Sequence, residues 1–191
     1  MSAICGIFHF DGKPIANLIE SMMSSMDYWG PDGSGVWRED SVALGHLMLH
    51  STPESLHEKL PIKRQTDDIV ITAQTRIDNR DELFRALGIH HPDRNNMPDS
   101  QLILKAYDKW GEECPDYLLG DWAFAIWDPR QIRLFIARDH HGNTALYWYH
   151  TSRFFAFASS LKGLFGRFNF KQRKFLGKVR CYAGYTGSST T

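Results

Sequence analysis

Between Asp121 and Ala158 the chain carries four strand-length apolar runs in close succession, and no other region limits its possible folds as strongly. The runs are Asp121–Trp127, Ile132–Ala137, Leu146–Tyr149 and Phe154–Ala158, parted by polar turns such as Asp128-Pro129. Strands joined by links this short pair antiparallel, because a parallel partner needs a crossover of a dozen or more residues. The region therefore predicts antiparallel sheet, with Phe124, Ile126, Leu134, Ile136, Phe155 and Phe157 in the core.

The first part of the chain mixes both periodicities. Residues 3–10 read as a strand burying Ile4, Ile7, Phe8 and Phe10, followed by the turn Asp11-Gly12. Leu18, Ile19, Met22, Met23 and Met26 recur at helical spacing and predict a helix over 16–26, its methionines filling core. Gly30-Pro31-Asp32-Gly33-Ser34-Gly35 reads as a loop. Val42–Leu49 and Asp68–Ile77 read as strands. Asn79 is placed to cap a short helix, Asp81–Leu87, which Gly88 ends. Asp99 precedes a longer helix with Leu102, Ile103, Ala106, Tyr107 and Trp110 on one face and Gly111 as its stop. Helices lying between groups of antiparallel strands predict an α+β domain of layered sheets with helices outside.

Composition removes several classes of function. Lys and Arg together number 22, as do Asp and Glu, so the balance of the 191 residues calls for neither nucleic acid nor an anionic membrane surface. Three cysteines, Cys5, Cys114 and Cys181, make no disulfide framework. No basic and apolar leader opens the chain and no apolar run would span a bilayer, so a reduced, cytoplasmic protein is expected. The histidines, including the pairs His90-His91 and His140-His141, follow no metal-ligand spacing, and no metal or cofactor is expected. The charge is uneven in one place. After Asp139 there is no acidic residue, and 166–191 holds Arg167, Lys171, Arg173, Lys174, Lys178 and Arg180. Without the aromatic or glycine pattern of a nucleic-acid module, this segment reads as an undocked tail or an interrupted frame.

Six stretches taken together resemble one family. They are "CGIF" at 5–8, "GPDGSG" at 30–35, "LGHLML" at 44–49, "GDWAFAIWD" at 120–128, "LFIARDHHGNTALYW" at 134–148 and "FASSLKGL" at 157–164. In that order they resemble the glutaminase domain of asparagine synthetase and its relatives, the class II glutamine amidotransferases. The resemblance covers about residues 3–165. It implies an N-terminal-nucleophile hydrolase fold, two stacked antiparallel sheets between helix layers, closed by about Ala158 before a short helix at 161–164. It also implies glutamine as substrate and an ATP-dependent synthetase or cyclase as partner. The ATP-binding Ser-Gly-Gly-x-Asp motif of the synthetase half does not occur in this sequence.

The resemblance also says where the chemistry should lie, and several positions depart from it. The family's nucleophile is a first residue whose own α-amine serves as base, with a pKa of about 7.7–8. Cys5 matches by type, but its nitrogen is an amide unless Met1–Ile4 are removed. It reads either as that nucleophile or as a small buried residue on a central strand. Removing Met1 alone would expose Ser2, which lies out of register with "CGIF". The family's carboxylate-clamping arginine falls at Met48. A charge-assisted pair contributes about 1.5–3 kcal/mol, so its loss would weaken glutamine binding roughly ten- to a hundredfold. The family's Asn-Gly-Glu falls at Gln74-Thr75-Arg76. Gln74 and Thr75 remain candidate oxyanion donors, whereas Arg76 sets a positive charge where an acid would hold the glutamine ammonium. Asp99 matches the family's second ammonium-binding acid. The expectation is a degenerate glutaminase domain that scaffolds a synthetase or cyclase. The alternative is an active amidotransferase that uses Cys5 after processing and feeds ammonia to asparagine synthesis.

Overall fold

The computed structural model of the chain describes residues 2–90, 94, 96–165 and 181–184. Among these residues, ten strands form two five-stranded sheets in which every pairing is antiparallel. The first sheet has the order β2 (Gly33–Glu39), β3 (Val42–Met48), β1 (Ala3–His9), β9 (Phe154–Ala158), β8 (Tyr147–His150). The second runs β10 (Cys181–Gly184), β7 (Arg133–Arg138), β6 (Gly120–Asp128), β5 (Val70–Ile77), β4 (Ile62–Lys63). Helices α1 (Leu18–Ser24) and α4 (Leu161–Phe165) lie on the first sheet, and α2 (Arg80–Ala86) and α3 (Asp99–Trp110) on the second. This is the α+β architecture expected from the sequence, two stacked sheets between helix layers. No helix among the described residues is long and apolar enough to cross a membrane.

The period-2 alternation of strand side chains divides the interior into three cores. Ile4, Phe8, Val42, Leu44, Val70, Ala123, Ala125, Leu134, Ile136, Phe155 and Phe157 fill the space between the sheets. The alternate residues of the first sheet, Ala3, Cys5, Ile7, Ala43 and Leu47, pack under α1 with Ile19, Met22, Met23 and Met26. Those of the second sheet, Ile71, Ala73, Trp122, Phe124, Ile126 and Phe135, pack under α2 and α3 with Phe84, Leu102, Ile103 and Ala106. The expected core residues Ile4, Ile7, Phe8, Phe124, Ile126, Leu134, Ile136, Phe155 and Phe157 are buried, whereas Phe10 lies just past the end of β1 and is half-buried.

Three local expectations are corrected. The glycine-rich stretch is a loop only to Asp32; from Gly33 it is strand β2, paired along its whole length with β3 (Gly33↔Met48 to Glu39↔Val42). Its glycines and exposed face hide the strand from a reading based on apolar alternation. Asn79 begins α2, but its side chain makes no cap hydrogen bond. Its amide instead donates to the Tyr117 carbonyl and its Oδ1 accepts from Leu119 N, tying α2 to the loop that follows α3. The segment after Phe165 was expected to be undocked, with the sheet closed at Ala158. Residues 181–184 nevertheless pair with β7, from Cys181↔Ile136 to Gly184↔Arg133, because β7 offers an open edge of backbone donors and acceptors. The rest of 166–191 lies outside the described residues.

Candidate functional site

The site is assembled by strand parity at the end of the inter-sheet space where β1 begins. On β3, His46 and Met48 continue the face of Val42 and Leu44; on β5, Thr72 and Gln74 continue that of Val70. Ser159 follows β9 on the face of Phe155 and Phe157, and Ser2 precedes β1 on the face of Ile4. These side chains end the apolar core with a polar layer. Ile4 N donates to Ser159 Oγ (2.9 Å), which in turn donates to Gln74 Oε1 (3.2 Å). Ser159 N donates back to the Ile4 carbonyl (2.8 Å). One short relay thus ties the first strand to the opposite sheet.

His46 is the most constrained member of this layer. It is 1% exposed, and its Nδ1 lies 3.2 Å from Thr72 Oγ1. Thr72 Oγ1 also lies 3.4 Å from the Gly45 carbonyl, so its one proton serves either that carbonyl or Nδ1. Nε2 has no hydrogen-bond partner among the described residues. Burial, with a smaller contribution from nearby His50, pushes the His46 pKa down to about 3. The ring is neutral at physiological pH.

Cys5 is not part of this layer. It belongs to the odd parity of β1, with Ala3 and Ile7, and faces α1. A Cβ placed on Gly45 would sit 2.8 Å from Cys5 Sγ and 2.7 Å from Met23 Sδ, so the sulfur is packed on that side by backbone and methionine. Burial pushes the thiol up to about 12. A thiol held in that form is a poor nucleophile. The whole thickness of the sheet separates it from Met48, Gln74 and Ser159.

Ser2, set aside in the sequence as out of register, lies on the face that Cys5 lacks. Its Oγ accepts from Leu49 N (3.0 Å), donates to the Leu49 carbonyl (3.2 Å) and lies 3.7 Å from Met48 Sδ. The period of a strand was the available clue. Residues 2, 4 and 8 share one face and residues 3, 5 and 7 the other, so the apolar pattern around Cys5 already placed it away from Ile4.

The remaining predicted residues divide between the two sides of the second sheet. Gln74 reaches the polar layer. Thr75 has the opposite parity, and its Oγ1 is without a hydrogen-bond partner among the described residues. Asp99 opens α3 on the helix side, where Oδ2 accepts from Ile77 N (2.9 Å) and Oδ1 from the Arg80 guanidinium. Burial raises the Asp99 pKa, against the lowering effect of the Ile77 amide and of Arg80. Arg76 is exposed and bound to Asp78 (2.9 Å) and Asp121 (3.0 Å). Both carboxylate and guanidinium are therefore satisfied by the protein itself. No cluster of histidine, cysteine and acidic residues able to hold a metal occurs among the described residues.

Against this geometry, the family described as "Glutamine amidotransferase domain" matches residues 1–182. The chain is 28% identical over 156 residues to asparagine synthetase [glutamine-hydrolyzing] 3 of Bacillus subtilis (strain 168), covering 81% of this chain and 25% of that protein. It is 28% identical over 149 residues to asparagine synthetase B of Escherichia coli (strain K12), covering 77% of this chain and 26% of that protein. It thus spans about a quarter of the length of these relatives. Among solved structures, glutamine phosphoribosylpyrophosphate amidotransferase of B. subtilis superposes with a TM-score of 0.65 at 14% identity, over 85% of this chain and 42% of that one. A second, titled as the allosteric regulatory enzyme of purine biosynthesis, reaches 0.67 at 13% identity, over 86% and 43%. These two likenesses bear on the fold, which is that of the N-terminal-nucleophile hydrolases.

Proposed function

The chain belongs to the glutamine amidotransferase domain family, and from that premise we propose that it is a degenerate glutaminase-type domain whose role is to scaffold an ATP-dependent synthetase or cyclase. One observation carries the reading: Cys5, the residue of nucleophile type, lies on the opposite face of β1 from Gln74, Met48 and Ser159. Processing would not mend this. Loss of Met1–Ile4 would remove the pairs Ala3↔Leu47 and Ile4↔His46 and the Ile4–Ser159 bonds, yet leave Cys5 facing α1. The supporting observations are chemical. Met48 presents a thioether where a carboxylate clamp is needed. The Asp99 carboxylate is already engaged by Arg80 and the Ile77 amide.

The test is glutamate and ammonia release from glutamine by the purified chain. The expected result is no turnover above the uncatalysed background. A rate of the order of 1 s⁻¹, an ordinary enzyme rate, that Cys5→Ala abolishes would overturn the scaffold reading. The placement of Ser2 favours a second reading. A serine hydroxyl beside a free α-amine forms a nucleophile–base pair, and Ser2 Oγ lies on the site face next to Met48. An acyl adduct on Ser2, found by mass spectrometry after treatment with a γ-glutamyl electrophile, would establish that reading; an unmodified Ser2 with a free amine would dismiss it.

A further inference from the structure

The strap of residues 50–61 runs from the end of β3 to β4 and borders a cleft of about 560 Å³ beside β2, whose lining includes Gly35, Met48 and Leu56. His50 N, donating to Asp32 Oδ2 (2.7 Å), holds the start of the strap, and buried Leu60 holds its end. Between them Glu58 fastens the strap to the helix layer: its Oε1 accepts from the Ser100 hydroxyl in the first turn of α3. The first amides of a helix have no partner within it. Pro98, which precedes α3, makes no side-chain cap bond, so it is the strap that brings an acceptor to this terminus.

Like charges crowd that fastening. Asp99, the first residue of α3, is 7% exposed, and Glu58 is half-buried with no ion-pair partner among the described residues. Glu54, in the 3₁₀ turn of the strap, adds a further negative charge felt by Asp99. Three carboxylates therefore share one guanidinium, that of Arg80 on α2, and it is bound to Asp99. The other groups that act on Glu58 are His50 and the hydroxyl and amide of Ser100. Burial first, and then the Asp99 charge, hold the Glu58 carboxyl above its ordinary value of 4.5, against the lowering effect of Ser100 and His50. We propose that Glu58 is a pH-sensitive latch: protonated, it fastens the strap to α3, and ionised, it lets the strap lift away from β2 and widen the cleft. Lifting returns the carboxyl to water, where it titrates at its ordinary value, so the closed strap keeps a proton that the open one releases to solvent. Closure is favoured in full below pH 4.5 and weakens as pH rises through the value Glu58 has when buried. The latch is independent of the scaffold reading, because no step of it involves glutamine.

The experiment is hydrogen exchange of the strap amides in the full chain between pH 5 and 7, corrected for the intrinsic pH dependence of exchange. The expected result is an opening constant that rises by about threefold or more across this range in the parent chain and stays level in Glu58→Gln, whose side-chain oxygen still accepts from Ser100. Global unfolding cannot produce that rise, since His46 makes it rarer, not commoner, as pH increases. A rise retained in Glu58→Gln, whether Glu54→Gln, His50→Gln or Asp32→Asn then removes it, would assign the pH dependence to another group and overturn the proposal, as would a level profile in the parent. Should Glu58→Gln misfold, the side-chain carboxyl ¹³C resonance of Glu58 in the parent chain gives the answer directly. It should titrate above 4.5, and the strap amide shifts should follow the same midpoint. A midpoint at or below 4.5, or strap shifts with a midpoint of their own, would dismiss the latch.

Discussion

His46 shows how one side chain ties burial to pH. Its ordinary pKa of 6.5 falls to about 3 in the fold because the charged ring would lose its hydration and gain no counter-ion. The folded state therefore binds fewer protons than the unfolded one between these values. The stability contribution is fully present above pH 6.5 and is lost as pH falls toward 3, in total on the order of 4–5 kcal/mol. Carboxylates also weaken the fold in acid, among them Asp67 and Asp128, whose pKa values arginine partners hold down. The His46→Gln variant separates the contributions. Urea midpoints at pH 7, 5 and 4 should fall more steeply for the parent chain than for the variant. Parallel slopes would show that His46 does not titrate between folded and unfolded states. Cys5 and Ser2 make a related point without charge: three positions apart at the start of the chain, they present opposite faces, and the face decides which can meet Met48.

At the scale of elements, the strap of residues 50–61 is held at three places. His50 N donates to Asp32, the Ser100 hydroxyl donates to Glu58, and Leu60 is buried in the core under α3. Thr52 and Ser55 cap the short 3₁₀ turn between them with reciprocal bonds. The closest approach is at Gly35, where a Cβ would lie 2.2 Å from the Leu60 carbonyl oxygen. Backbone cannot yield as a side chain end can, so Gly35→Ala must displace either β2 or the strap. Overpacking of this kind costs about 1–3 kcal/mol. The expected outcome is a lowered unfolding midpoint together with faster tryptic cleavage after Lys59, because β2 is held along its whole length by β3 while most of the strap lies outside any sheet. An unchanged midpoint and cleavage rate would show that the strap does not rest on β2. A glycine in "GPDGSG" is thus required by contact with another element, a reason invisible in the loop reading of that stretch.

At the scale of the whole molecule, the two sheets differ in how their edges are covered. β10 lies on the outer edge of β7, so a chain ending at Phe165 should expose the backbone groups of residues 133–136 that the pairing now satisfies. Faster amide exchange at alternate residues of that strand, with a lower thermal midpoint, is the expected result of the truncation. Unchanged exchange would return the segment to the undocked state its composition suggested. The sequence by itself determined the fold class, most of the strands, helices and core residues, and the family. These rest on local periodicity, apolar content and motif order, which a linear chain displays directly. It could not place β2, whose glycines carry no alternation, nor β10, whose pairing depends on an edge built elsewhere. It identified Met48, Gln74, Thr75, Arg76 and Asp99 as positions of interest, but not that Arg80 engages Asp99 or that Ser159 ties Ile4 to Gln74 across the two sheets. Those facts belong to tertiary structure alone, because they arise where strands distant in sequence bring opposite charges, or no charge, to the same few ångströms.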